Sequence, residues 1–147
     1  MKDKYRKALK GYSTSALITN LVSSIQKILL QFGATGIGFE YDNEERITSI
    51  SFKLEDGTGN TRVIRVPSQW EKVKQKLIMQ KVYKDDEHAY RVAMYNIKEW
   101  LDAQLAIMEI GLVEFKQIFL PYMTNSEGKT VYEYFEESQY KLLDTPK

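Results

Sequence analysis

One uninterrupted run, HAYRVAMYNIKEWLDAQLAIMEI from His88 to Ile110, limits what this chain can fold into more than any other stretch. It holds neither glycine nor proline. Val92, Ile97, Leu101, Leu105 and Met108 recur at steps of three to five residues, the repeat of a helix face. Ala93, Trp100, Gln104 and Ile107 widen that stripe, so the helix is expected to be covered on more than one side. Asp85, Asp86 and Glu87 precede it, where negative charge opposes the positive end of the helix dipole. Gly111 follows it, where a left-handed residue ends a helix at least cost.

Around this helix the chain divides as one domain, residues 1–147, with a basic arm at 1–12, a helix at 13–32, strands at 36–66 and a mainly helical remainder at 68–147. In the 13–32 segment, Ser13, Thr14 and Ser15 are candidate N-caps. Leu17, Leu21, Ile25, Ile28 and Phe32 form its apolar stripe, thickened by Ile18, Val22 and Leu29. Three runs then alternate with period two. Ile37, Phe39 and Tyr41 share one side of the first, Ile50, Phe52 and Leu54 of the second, and Ile64 and Val66 of the third. The connecting DNEER and DGTGN segments are turn-formers. One apolar and one polar face marks an antiparallel sheet covered by helices on one side. Pro67 ends the third run. Ser68 and Glu71 have the spacing of a capping box for a helix over Gln69–Gln80 with Trp70, Val73 and Leu77 inward. A shorter helix is expected from Val113 to Leu120, stopped by Pro121. Thr130 and Glu133 repeat the capping-box spacing before a last helix, with Val131, Tyr134 and Phe135 inward. The expected fold is therefore α+β: a three-stranded antiparallel meander covered on one face by helices, with the helix at 88–110 central.

Composition narrows the chemistry. The chain has no cysteine, which removes disulfides, thiolate metal sites and a cysteine nucleophile. His88 is the only histidine. It sits at a helix start with no Gly-x-Ser-x-Gly in the chain, so a structural role is expected of it and no catalytic residue is assigned. Glu99 and Asp102 are three residues apart, yet there is no His-Glu-x-x-His and no calcium-loop spacing, so no metal ligand is assigned. GATGIG at 33–38 precedes a strand instead of opening a helix and lacks a following Gly-Lys-Ser/Thr, so no cofactor is assigned. No run approaches the ~18 apolar residues of a membrane span, and the N-terminus has no apolar signal core. The expectation is a soluble, cytoplasmic, non-enzymatic protein that does not bind membranes. Arg91, Tyr95, Lys98 and Asp102 form a polar stripe on the long helix, and Gln104 lies among apolar neighbours. The sequence assigns Arg91, Asp102 and Gln104 to a packing network, either with the sheet or with a second subunit.

The net charge of +1 conceals a split. Residues 1–84 carry 15 Lys and Arg against 8 Asp and Glu, a net +7, and residues 85–147 carry 6 against 12, a net −6. The two halves can attract each other, or the basic half can face a polyanion. Lys53, Arg65, Lys72, Lys74 and Lys76, with Arg62 beside them, form the candidate surface for DNA or RNA. Ser49, Ser51 and Val63 on the outer sheet face offer no ring on which a base could stack. The rival class is a protein-interaction module, an inhibitor or adaptor meeting a host or phage protein, or an obligate homo-oligomer. Its candidate interface is Phe115, Phe119, Tyr122, Tyr132 and Tyr134, since aromatic side chains anchor interfaces.

The segment YRVAMYNIKEWLDAQLAIMEIGLVEFKQIFLPYM resembles a group of small proteins of bacteriophages and prophages, in which a helix of the form RVAWR-IKDWLEAQLALIE is followed by FLPY. The matching positions are Arg91, Val92, Ala93, Ile97, Lys98, Trp100, Leu101, Ala103 to Ile107, and Phe119 to Tyr122. EYDN, ISFKLE and the strand ending at Pro67 extend the likeness over residues 13–135. Met94 and Tyr95 stand where the group has Trp and Arg. The group has no established activity. The resemblance therefore implies a mobile-element setting and transfers no functional residue.

Overall fold

The computed structural model describes residues 8–144. Lys2, Lys4, Arg6 and Lys7 of the basic arm lie outside the described residues. The long helix, α3 here, spans Asp86–Ile110. It starts two residues before His88 because Asp85 caps it, its carboxylate accepting the His88 N–H at 2.7 Å. Gly111 ends it at φ 88. His88, Ala89, Tyr90, Val92, Ala93, Met94 and Ile97 are all buried, so the N-terminal half of α3 is covered on several sides. Beyond it only Leu101 and Leu105 are buried. The helix narrows from a core rod to a half-exposed one.

The sheet is antiparallel, in the order β1 (Thr35–Tyr41), β2 (Ile47–Glu55), β3 (Thr61–Pro67). Phe39 faces Ile50, Ile50 faces Val66, and Phe52 faces Ile64. Ile50, Phe52, Leu54, Ile64 and Val66 are buried, as the period-two reading requires. Tyr41 departs from it: a register irregularity after Glu40 pairs Tyr41 with Ile47 and leaves Tyr41 exposed. A second irregularity lies between Thr35 and Gly38, where Gly36 takes φ 57. A short antiparallel bridge of Met123 to Ile64, with Thr124 N–H donating to Val63 O at 2.8 Å, extends the edge at β3. Two isolated residues carry no alternation, so the sequence gives no sign of this pairing.

α1 (Ile18–Gln31) and α2 (Trp70–Met79) pack on α3. α1 starts later than Ser13–Ser15 imply. Leu17 occupies its N-cap with no side-chain bond and is exposed, while Leu21, Ile25, Ile28, Leu29 and Phe32 are buried. The Ser68–Glu71 capping box does not form. Ser68 is buried at the end of β3 and donates its hydroxyl to the Ile47 carbonyl at 2.6 Å, leaving Gln69 at the N-cap with φ 52. A carbonyl in a buried strand end took the hydroxyl that the helix would have used. By contrast, the Thr130–Glu133 box is complete: Thr130 N–H donates to Glu133 at 2.9 Å, and Glu133 N–H to the Thr130 hydroxyl at 3.1 Å. It opens α5 (Val131–Glu137), from which Tyr134 points outward, not inward.

α4 (Phe115–Phe119) is shorter than its sequence reading, and Pro121 lies in the 3₁₀ turn Leu120–Tyr122 that follows it. Phe119 fastens these short elements to the core. It is fully buried and meets Phe32, Phe52 and Trp100 edge-to-face at 5.4, 5.3 and 5.9 Å. One ring thus joins α1, β2, α3 and α4. Among the described residues no helix is long and apolar enough to cross a membrane.

Candidate nucleic-acid interface

The five expected cations do not form one surface. Arg65 is turned toward the C-terminal third: its guanidinium donates to the Gly128 carbonyl and to Glu133, each at 2.7 Å. Lys74 lies 2.9 Å from Asp86, which also accepts the Tyr83 hydroxyl at 2.8 Å. Lys74 and then Tyr83 hold the Asp86 carboxyl below its usual range, and Asp86 in turn raises Lys74. Arg62 is bound to Asp56 at 2.7 Å. These three are corrections to the sequence reading. Arg65–Glu133 and Lys74–Asp86 set the basic half against the acidic half, so part of the charge split is spent inside the fold, whereas Arg62 and Asp56 both belong to the basic half. Lys53 stands apart, its stem lying over Gly36, where an added Cβ would come within 3.2 Å of it.

Lys72 and Lys76 remain exposed and have no ion-pair partner among the described residues. They are one helical turn apart on α2, so their Cβ atoms are about 6 Å apart. Both border a hollow of about 460 Å³ between α2 and α3. Ala93, Ile97, Trp100 and Tyr122 also line it, the last two in edge-to-face contact at 5.7 Å. A second hollow, about 450 Å³, adjoins it through Pro67, Gln69, Lys72 and Tyr122, and adds Arg65, Tyr132 and Glu133. Through these shared residues the two hollows make one groove, lined by Lys72 and Lys76 of α2 and by the rings of Trp100, Tyr122 and Tyr132. The sequence pointed to Lys72, Lys76 and Arg65 but missed that Trp100, a core-stripe candidate, reaches this groove. Its only sign was that Trp100 sits beside, not within, the tightest apolar stripe.

The arm reaches the same groove. Leu9 lines it, and residues 9–12 are held by three side chains. Gln80 accepts the Leu9 N–H at 2.6 Å, Asn96 donates to the Lys10 carbonyl at 2.7 Å, and His88 Nε2 meets the Tyr12 carbonyl. Gly11 packs so closely on Tyr95 that an added Cβ would lie 2.4 Å from the ring. These residues are a docked strap, where the sequence suggested a basic arm. His88 is 1 % exposed and occupied in this way. The polar stripe of α3 bonds along the helix: Arg91 to Glu87 at 3.9 Å, Tyr95 to Glu99 at 3.4 Å, Lys98 to Glu99 at 3.3 Å. Asp102 is exposed and Gln104 half-buried.

The aromatic interface candidates also divide. Phe119 is core and cannot serve as an interface residue. Phe115 and Tyr122 are half-buried, whereas Tyr132 and Tyr134 are exposed. Tyr132 lines the cationic groove, while Tyr134 lines a separate hollow of about 680 Å³ with Leu120, Met123 and Val131. Residues two apart on a helix face different ways, so the YEY spacing never placed these tyrosines together. No protein family, curated protein or solved structure matches the chain.

Proposed function

We propose that the protein is a non-enzymatic accessory protein of a bacteriophage or prophage that binds nucleic acid along the α2–α3 groove. The mobile-element setting rests on the likeness of the 90–122 segment to phage proteins. The binding reading rests on one observation: Lys72 and Lys76, with no acid paired to them among the described residues, line the same hollow as Trp100 and Tyr122. Cations that follow a backbone beside rings that stack bases are the combination used for single strands. Arg65 and Lys74 contribute little here, because each is already neutralised by a carboxylate.

The test is fluorescence anisotropy with labelled single-stranded DNA, single-stranded RNA and duplex DNA over a salt series. Wild type is expected to bind single strands with affinity falling as salt rises. Lys72→Gln with Lys76→Gln should weaken binding and flatten the log–log salt slope by up to about 1.4, at about 0.7 per phosphate contact on a single strand. Equal binding and slope in the double variant would refute the groove.

A further inference from the structure

The groove carries polar groups besides its two lysines, and most of them are already engaged. In the second hollow the Arg65 guanidinium is bonded to Gly128 and Glu133, the Thr130 hydroxyl accepts the Glu133 N–H, and the Tyr132 hydroxyl donates to Glu136. In the first, Ser68 is tied to the Ile47 carbonyl. Two side-chain amides line the groove. Asn96 spends its N–H groups on the Lys10 and Val92 carbonyls. Gln69 is the other. It lines both hollows, is exposed, and its amide makes no hydrogen bond among the described residues.

The backbone of Gln69 is fixed. It takes the left-handed conformation, φ 52, between buried Ser68 and buried Trp70, and its carbonyl accepts the Lys72 N–H at 3.0 Å. That conformation costs a non-glycine residue free energy and persists only where the surroundings impose it. Pro67, Pro121, Tyr122 and Tyr132 line the same second hollow, and their rings suit a flat apolar face. A free amide adds one donor beside one acceptor. On a single strand the Watson–Crick and Hoogsteen edges of an unstacked base are open. Adenine offers a donor next to an acceptor on both edges, N6 with N1 and N6 with N7. Cytosine and thymine offer such a pair on the Watson–Crick edge alone.

We propose, resting on the single-strand reading of this groove, that Gln69 confers a preference for adenine. Its amide bonds the edge of a base stacked among Pro67, Tyr122 and Tyr132, while Lys72 holds the adjoining phosphate. Fluorescence anisotropy of the full chain with labelled homopolymeric dA, dC and dT strands of equal length tests it. Wild type is expected to bind dA about fivefold or more tighter than dC or dT, the lower end of what one bidentate base contact discriminates. Gln69→Met, equal in length without the amide, should weaken dA binding to the level of the other two. Binding of dC and dT, the salt slope and the circular dichroism spectrum should stay as in wild type. Weakening of all three strands alike would mark a structural role and overturn the proposal. Equal wild-type binding of the three strands, or a preference that survives Gln69→Met, also overturns it and leaves the lysine groove standing. A wild type that binds no strand, or binding indifferent to Lys72→Gln with Lys76→Gln, defeats the groove itself and the adenine preference with it.

Discussion

Replacing Phe119 by alanine removes the one ring that touches α1, β2 and α3 at once. Deleting a fully buried phenylalanine costs about 3–5 kcal/mol through lost transfer energy and the cavity left behind. Three edge-to-face partners, each worth about 0.5–1.5 kcal/mol beyond area, place this site in the upper part of that range. A domain this size has about 5–15 kcal/mol to lose, so Phe119→Ala should remove a third of it or more. At about 2–4 °C per kcal/mol, the midpoint should fall on the order of 10 °C. Urea unfolding by tryptophan fluorescence measures the loss, and an unchanged m value shows that the same surface is still exposed on unfolding. The neighbouring 3₁₀ turn carries Tyr122 into the groove, so nucleic-acid affinity should fall with stability. A loss below about 1 kcal/mol, the range of ordinary surface substitutions, would refute the reasoning and return Phe119 to the surface.

Two further outcomes follow from local geometry. Gly11→Ala places a methyl 2.4 Å from Tyr95 at φ +77, and should destabilise by about 1–3 kcal/mol through left-handed strain and overlap. Part of that loss should be relieved by Tyr95→Ala, and strict additivity in the double-mutant cycle would contradict the packing. The Asp56 carboxyl is held well below the usual carboxylate range by the Thr58 hydroxyl, then the Thr58 N–H and the Arg62 guanidinium. A depressed folded value adds stability above the unfolded pKa of about 3.9 and loses it as pH falls through the folded value. Asp56→Asn should thus cost a constant amount from neutral pH to about pH 4, and progressively less below it. A pH-independent difference in urea midpoint would count against that linkage.

Much of the architecture was legible because long periodic segments average over local exceptions. The α3 stripe, the Gly111 stop, the period-two face of β3 and that of β2 from Ile50 to Glu55 hold, whereas Ser49, read as outward, is buried beside Ile47 and Ile50. Short elements fail where one residue has two competing tasks. Ser68 and Thr130 share the same capping spacing, yet only Thr130 caps, because the Ile47 carbonyl claims Ser68. Phe119 read as an interface aromatic because the short helix expected over Val113–Leu120 has too few turns to reveal which side is buried, and only Phe115–Phe119 of it forms. Of the site, the sequence identified the groove lysines but not their surroundings. Partners distant in sequence decide which cations are free: Glu133, 68 residues away, occupies Arg65, and Asp86, which begins the next helix, occupies Lys74. No periodicity encodes such pairings. Nor does it encode the strap, which depends on Gln80, His88 and Asn96 meeting backbone groups more than seventy residues away.

Ultraviolet crosslinking of a single-stranded oligonucleotide, followed by mass-spectrometric mapping of the adducts, addresses the groove most directly. Nucleotide adducts should concentrate on Trp100, Tyr122 and Tyr132 and disappear when Lys72 and Lys76 are neutralised. Adducts confined to other tyrosines, or unaffected by loss of the two lysines, would contradict it.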